Sequence, residues 1–304
     1  MSFQTLLFRL MCSRSDKKRD KGLTDPPEVA HNDNICYGTD RKWQILDVYR
    51  PKNAEGKLPV LVSFHGGGWV YGTKEIYRYY CMELAKQGFA VVNFTYRLAP
   101  ENRFPAGLED LSAVFAFVLR HAAEYGFDTG KIYGIGDSSG AMGMAIYACA
   151  LTNPAFAAQF PVRMPEGLVL RGLGLNCGMF DTEGMREILR DLLPKGREEE
   201  TLRLLSSHSH AAKQFPPSFL MSAEGDFNKE PTLAFGKVLE QLGVHCCTKI
   251  YGDAQNPLGH VFHCDVRSAD GRQANRDELD FFRSLKDTIN GDIRHERGKN
   301  DEFM

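Results

Sequence analysis

Lys131-Ile-Tyr-Gly-Ile-Gly-Asp-Ser-Ser-Gly-Ala-Met-Gly-Met-Ala-Ile-Tyr-Ala-Cys-Ala-Leu151 is the stretch on which the fold turns. Its first five residues form a short apolar run, and a helical run opens at Ser139. Gly136-Asp137-Ser138-Ser139-Gly140 sits at the junction, a G-x-S-x-G pattern that about one chain in eight of this composition would carry by chance. Its placement is more informative than the pattern. A strand feeding a helix through a sharp turn lifts a serine hydroxyl above the sheet, and small flanking residues relieve the crowding there. The helix N-terminus also favours negative charge beside the serine.

Outward from this junction the chain alternates short apolar runs with helical periods. Residues 58–64 (LPVLVSF), 89–94 (FAVVNF), 168–175 (LVLRGLGL) and 217–223 (PSFLMSA) read as buried strands, and Cys247 to Tyr251 as a weaker one. Between them, Leu111, Val114, Phe115, Val118 and Leu119 recur at i, i+3, i+4, i+7 and i+8, one apolar stripe facing a sheet. Strands apolar on both faces and separated by helices indicate a parallel sheet covered on both sides. An opening hairpin near Ile35–Tyr37 and Trp43–Tyr49 adds antiparallel strands at one edge. The expected fold class is α/β, open and doubly wound.

Three further signals fall at strand ends. His65-Gly66-Gly67-Gly68-Trp69 follows the run 58–64, and three consecutive glycines are unfavourable in conformational entropy unless the backbone itself is needed. Acyl transfer needs such bare amides aimed at a developing oxyanion, with the amide of Ser139 as a further donor. The loop lacks the G-K-[ST] or G-x-G-x-x-G pattern of phosphate sites. Downstream, Glu224-Gly225-Asp226 follows the run 217–223, and His260 follows the run ending at Tyr251. The order Ser, acid, His assigns Ser138 as nucleophile, His260 as its base and Asp226 as the group that orients His260, with Glu224 and Asp253 as rival acids. His263 is expected to be packed or solvated, because a His-x-x-His pair without a third ligand is weak evidence for metal. The other histidines are expected at the surface. Asp137 reads as a support of the turn, and Tyr96-Arg97 with Glu109-Asp110 as structural ion pairs.

Together, His65-Gly-Gly-Gly-Trp69, Tyr96-Arg-Leu-Ala-Pro-Glu101, Phe104-Pro-Ala-Gly-Leu-Glu-Asp110, Gly136-Asp-Ser-Ser-Gly140 and Gly259-His260 resemble the hormone-sensitive-lipase-like esterases, α/β-hydrolases of the bacterial family IV type. The resemblance covers roughly residues 40–287. It implies an α/β-hydrolase fold, a Ser138–Asp226–His260 triad and an oxyanion hole from the amides of Gly67, Gly68 and Ser139. It also implies hydrolysis of short- to medium-chain acyl esters with no cofactor and no metal. Two features depart from the pattern: Ser139 and Ala141 replace an alanine and a glycine of the elbow, and Phe227-Asn-Lys-Glu230 replaces Pro-Leu-Arg-Asp after the acid. Two alternatives share the family's likeness, an arylformamidase-like amidase and a non-catalytic ligand-binding homologue. The presence of His260 argues against the second.

The domain reading follows. Residues 1–34 form an N-terminal segment of a cap, 35–177 and 215–289 the core, 178–214 a cap insertion and 290–304 a polar, disordered tail. Within the insertion, Met185, Ile188, Leu189, Leu192 and Leu193 follow a helical period, and a second helix holds Leu202 and Leu205. The chain has 37 basic and 39 acidic residues in 304, a net charge of −2, which excludes a basic field for nucleic acid. No run approaches the roughly 18 apolar residues of a membrane span, so no stable membrane insertion is expected. The first ten residues lack the basic start and cleavage site of a secretory signal and read as a short amphipathic helix. Eight cysteines without regular spacing suit a reduced, cytoplasmic protein. An exposed apolar sheet edge or cap would suit a homodimer.

Overall fold

The computed structural model describes residues 2–285; the expected polar tail lies outside them. The chain opens with α1 (Phe3–Asp20), β1 (Val29–Cys36), β2 (Ile45–Pro51), β3 (Leu58–Phe64), α2 (Arg78–Ala85) and β4 (Ala90–Thr95). The middle contains α3 (Ala106–Arg120), α4 (Ala122–Tyr125), β5 (Phe127–Asp137), α5 (Ser139–Thr152), α6 (Pro154–Ala157) and β6 (Leu170–Asn176). It closes with α7 (Glu198–Leu205), α8 (Ser207–His210), β7 (Ser218–Ala223), α9 (Lys229–Gln241), β8 (Cys246–Tyr251) and α10 (Ala269–Ser284).

The eight strands form one sheet in the order β1-β2-β4-β3-β5-β6-β7-β8. β1 pairs antiparallel with β2 and β2 with β4, whereas β4, β3, β5, β6, β7 and β8 run parallel. This is the expected mostly parallel α/β-hydrolase sheet with an antiparallel edge. The sheet starts earlier than expected, since residues 29–34 lie in β1 rather than over the core. β4 and β7 are buried along their whole length, as strands covered on both faces must be. Because β3, β5, β7 and β8 are parallel, the loops that leave their carboxyl ends converge on one edge, where ligands bind in open α/β sheets.

α5 is buried from Ser139 to Ala150 on every side, so its many alanines and glycines are a packing requirement. A Cβ on Gly143 would meet the ring of Trp69 at 2.6 Å, which shows how closely α5 lies against the loop after β3.

The segment 183–193 is a correction to the sequence reading. It forms successive isolated turns, with Leu189 N–H bonding Met185 O and Leu193 N–H bonding Leu189 O, and no continuous helix. Its backbone is satisfied from outside instead. Arg103 donates to the carbonyls of Arg190 (2.9 Å) and Leu193 (2.5 Å), and Phe104 N–H donates to that of Leu192 (3.0 Å). The apolar side chains also divide between two destinations, Leu192 and Leu193 in the main core and Ile188 exposed, which one helical stripe could not serve. The second expected helix is present as α7, with Leu202 and Leu205 buried.

α1 is a helix, as expected, and it is tied to the body at several points. Asp191 accepts from Ser2 N–H (2.9 Å) and Thr5 Oγ1 (2.7 Å), Arg9 donates to Val70 O and Ala99 O, and Tyr71 Oη donates to Asp16 (2.8 Å). Among the described residues no helix is long and apolar enough to cross a membrane, and all eight cysteines are free.

Candidate active site

β5 ends at Asp137 and α5 begins at Ser139, so Ser138 has to make the whole reversal. It does so at φ 53°, ψ −119°, a positive-φ conformation held by its N–H bond to Asn176 O on the neighbouring β6 (2.8 Å). The turn is this tight because α5 lies directly against β3. A Cβ on Gly140 would run into the carbonyl oxygen of Phe64 and would sit 2.9 Å from the His65 carbonyl. No side chain fits there.

Three residues far apart in sequence meet at this point. Ser138 Oγ lies 2.9 Å from His260 Nε2, and His260 Nδ1 lies 2.8 Å from Asp226 Oδ1. Asp226 is buried and held on both oxygens, by Ser222 Oγ on Oδ2 (2.8 Å) and Asn228 N–H on Oδ1 (2.9 Å). Burial alone would raise its pKa. The hydrogen bond and charge of His260, followed by the Asn228 N–H, outweigh it and hold the carboxyl well below its usual range. The rival acids are engaged elsewhere: Glu224 pairs with Lys229 at 3.1 Å, and Asp253 accepts from the N–H groups of Gln255 and Asn256 in its own turn.

The glycine loop after β3 is fixed from below. Tyr77 Oη donates to Asp137 Oδ2 (2.8 Å), and Gly66 N–H donates to Asp137 Oδ1 (3.2 Å). Asp137 is fully enclosed, and burial raises its pKa to about 6 against the opposing bond from Tyr77. With Gly66 N–H occupied, the N–H groups of Gly67 and Gly68 make no hydrogen bond among the described residues. Ser139 is the first residue of α5, where N–H groups have no intrahelical partner. The three amides named from the sequence therefore lie in two adjacent backbone segments beside Ser138, joined by the bond from Trp69 N–H to Ser139 Oγ (3.3 Å).

The remaining sequence readings also have definite places. Arg97 pairs with Asp110 (2.8 Å) and Glu109 (2.9 Å), a structural cluster. His263 is buried, its ring edge-on to Tyr80 and 3.7 Å from Cys264 Sγ, and burial lowers its pKa to about 3. His260 and His263 thus face different partners and form no ligand pair. The sequence reading missed Tyr77, Ser222 and Asn228. Only Asn228 left a trace, since an acidic residue two positions before an asparagine suits an Asx-turn.

A cavity of about 500 Å³ opens over Ser138. Its walls combine Met142 of α5 and Phe227 of the loop after β7 with Phe8 and Cys12 from α1 and Met185 and Leu189 from the 178–214 segment. The lining is mostly apolar with a few polar groups, as in small-molecule sites. A nucleophile bonded to a base, a base bonded to a buried carboxylate and free amides alongside are the parts needed for acyl transfer.

The chain is similar to several known proteins. The BD-FAE family model matches residues 46–163. A probable isoprenylcysteine alpha-carbonyl methylesterase, ICMEL1 of Arabidopsis thaliana, is 26% identical over 285 residues, covering 88% of this chain and 57% of its own length. Carboxylesterase NlhH of Mycobacterium tuberculosis is 40% identical over 137 residues, 43% of each chain. The chain therefore spans less than two thirds of these curated relatives. Among solved structures, esterase B from Lactobacillus rhamnosis superposes with a TM-score of 0.85 at 24% identity, covering 93% of this chain and 94% of that one.

Proposed function

We propose that the chain, which has the α/β-hydrolase fold, is a serine carboxylic-ester hydrolase of the hormone-sensitive-lipase-like, bacterial family IV type, acting on short- to medium-chain acyl esters. The observation that carries this reading is the continuous hydrogen-bonded chain Ser138–His260–Asp226 beside the unpaired amides of Gly67 and Gly68.

In this reaction Ser138 Oγ attacks the ester carbonyl carbon while His260 Nε2 takes its proton. The carbonyl oxygen becomes an oxyanion held by the N–H groups of Gly67, Gly68 and Ser139. Collapse of this intermediate breaks the bond to the alcohol oxygen, which receives the proton from His260, and leaves an acyl-Ser138. Water then attacks the acyl carbon, again giving its proton to His260, and releases the acid and free Ser138. Asp226 stays ionised throughout, fixes the Nδ1–H tautomer and stabilises the imidazolium. Both hydrogen bonds to His260 favour hydrolysis over a purely ligand-binding role.

The inner face of α1, with Phe8, Cys12 and Asp16, and the 178–214 segment act as the cap, since both line the cavity over Ser138. Met179 and Met185 of that segment, with Met142 of α5, give an adaptable apolar wall suited to an acyl chain of a few carbons. The free cysteines support a reducing, cytoplasmic setting, and the β8 edge offers a surface for a homodimer. Hydrolysis of p-nitrophenyl esters from acetate to decanoate tests the activity. The expected result is a peak at short to medium chains that Ser138→Ala abolishes; an unchanged rate in the variant would overturn the assignment.

A further inference from the structure

α1 has two faces with different jobs. Phe8, Cys12, Ser15, Asp16 and Arg19 line the cavity, a spacing that keeps them on one side of the helix. Roughly half a turn away, Phe3, Leu7, Leu10, Arg14 and Lys17 recur at i, i+4, i+7, i+11 and i+14, with Leu6 beside them. This outer stripe faces solvent: Phe3 is 78% exposed, Leu10 51% and Leu7 49%. The described residues have seven exposed large hydrophobics besides Leu10 and Met11, and four of them, Phe3, Leu6, Leu7 and Phe8, also belong to this one helix.

The charge on α1 is divided just as sharply. Its two acidic residues turn inward, Asp16 accepting from Tyr71 Oη and pairing with Arg19, and Asp20 accepting from the same guanidinium. Arg14, Lys17 and Lys18 are exposed and have no acidic partner among the described residues. The outer face is thus apolar over its first three turns and uniformly cationic over the rest. A cationic face repels a second copy of itself, and a neutral apolar partner would leave the basic half unused. Anionic headgroups above an acyl layer satisfy both halves at once.

We infer that the outer face of α1 docks on an anionic lipid surface, with Phe3, Leu7 and Leu10 entering the acyl boundary and Arg14, Lys17 and Lys18 at the headgroups. The helix lies in the interface and does not span it. Two other exposed apolar side chains, Ile188 (77%) and Phe227 (74%), line the cavity over Ser138, so its rim is also apolar. Docking would bring that rim near the lipid and favour esters that partition into membranes. The surface is an inference independent of hydrolysis, and its test does not require turnover.

The experiment is flotation of the full chain with phosphatidylcholine vesicles, with and without about one third phosphatidylglycerol. The chain is expected to float with the anionic vesicles, to bind neutral ones weakly, and to lose binding as salt rises. Lys17→Gln with Lys18→Gln should lower the partition coefficient on anionic vesicles by roughly ten- to a hundredfold. Leu7→Gln with Leu10→Gln should lower it on both kinds. Hydrolysis of a water-soluble ester should stay at the parent level in both variants, which shows that they are folded and separates this surface from the active site. Equal binding to neutral and anionic vesicles, or retention of binding in both variants, would overturn the proposal. So would a concentration-dependent dimer that Leu7→Gln with Leu10→Gln dissolves, since that assigns the face to a second copy.

Discussion

Gly67 and Gly68 are adjacent and chemically identical, yet the structure predicts very different outcomes when each becomes alanine. Gly68 has φ +61°, inside the left-handed well, and its added Cβ would touch nothing nearer than the Phe8 ring at 3.6 Å. Alanine there should lower stability by about 1–2 kcal/mol and leave the amides in place, with kcat within roughly threefold of the parent. Gly67 has φ +115°, beyond that well, and its Cβ would collide with the backbone carbonyl of Tyr71, whose carbon would lie at 2.7 Å. The turn cannot simply relax, because the N–H groups of Val70 (3.1 Å) and Tyr71 (2.9 Å) both bond to Gly67 O. The strained conformation is worth about 1–3 kcal/mol, and escaping it rotates the Gly67–Gly68 amides away from Ser138. Loss of one oxyanion donor raises the barrier by about 3–4 kcal/mol, so Gly67→Ala should lower kcat by roughly a hundred- to a thousandfold. The assay is p-nitrophenyl butyrate turnover at saturating substrate, with thermal melting to confirm that each variant is folded. If both variants lose kcat equally, or Gly67→Ala keeps the parental rate, the assignment of these amides is wrong.

Two other perturbations have definite signs. Asp226→Asn keeps the shape of the site but reverses the preferred tautomer of His260, so kcat should fall by about four orders of magnitude with little change in KM, and an intact kcat would shift the role of orienter to another group. Glu278 is fully buried on α10, accepts from Asn176 Nδ2 at 2.9 Å, and burial raises its pKa from 4.5 to about 7. Between those two values the unfolded chain ionises Glu278 and the folded one does not, so the native state loses stability as pH rises from about 4.5 to about 7 and no more above it. Glu278→Gln removes that loss. Urea unfolding should find the variant more stable than the parent at pH 8, by up to about 3 kcal/mol, and little changed near pH 4. Parallel pH profiles for the two proteins would contradict this.

Strands β3, β4 and β7 were legible because a strand buried on both faces needs a nearly continuous apolar run, and each sequence has one. Ser138 and the Gly66–Gly68 loop were legible for a related reason, since a serine between glycines at a strand-to-helix junction and three bare glycines at a strand end have few other uses. The residues that hold this machinery were not. Ser222 lies inside an apolar strand, and Tyr77 ends a single 3-10 turn, Lys74–Tyr77, 60 residues from the Asp137 it supports. Nothing local distinguishes them from ordinary serines and tyrosines. The 183–193 segment misled because helical spacing of its apolar residues is also what a chain shows when it serves the core and a cavity rim in turn.

The sequence by itself determined the α/β architecture, the order of Ser138, Asp226 and His260 along the chain, and their positions after strands. Each of these follows from local rules: side-chain periodicity, turn chemistry and the backbone freedom of glycine. Only the tertiary structure decided that Asp226, and not Glu224 or Asp253, reaches His260, because that depends on which carboxylate the β7–β8 pairing carries to the sheet edge. It also decided that α1 turns Asp16, Asp20, Arg19 and Phe8 toward the body and leaves Phe3, Leu7, Leu10, Arg14, Lys17 and Lys18 to solvent. Those side chains sit on opposite sides of one helix, and only the body packed against it determines which side is covered.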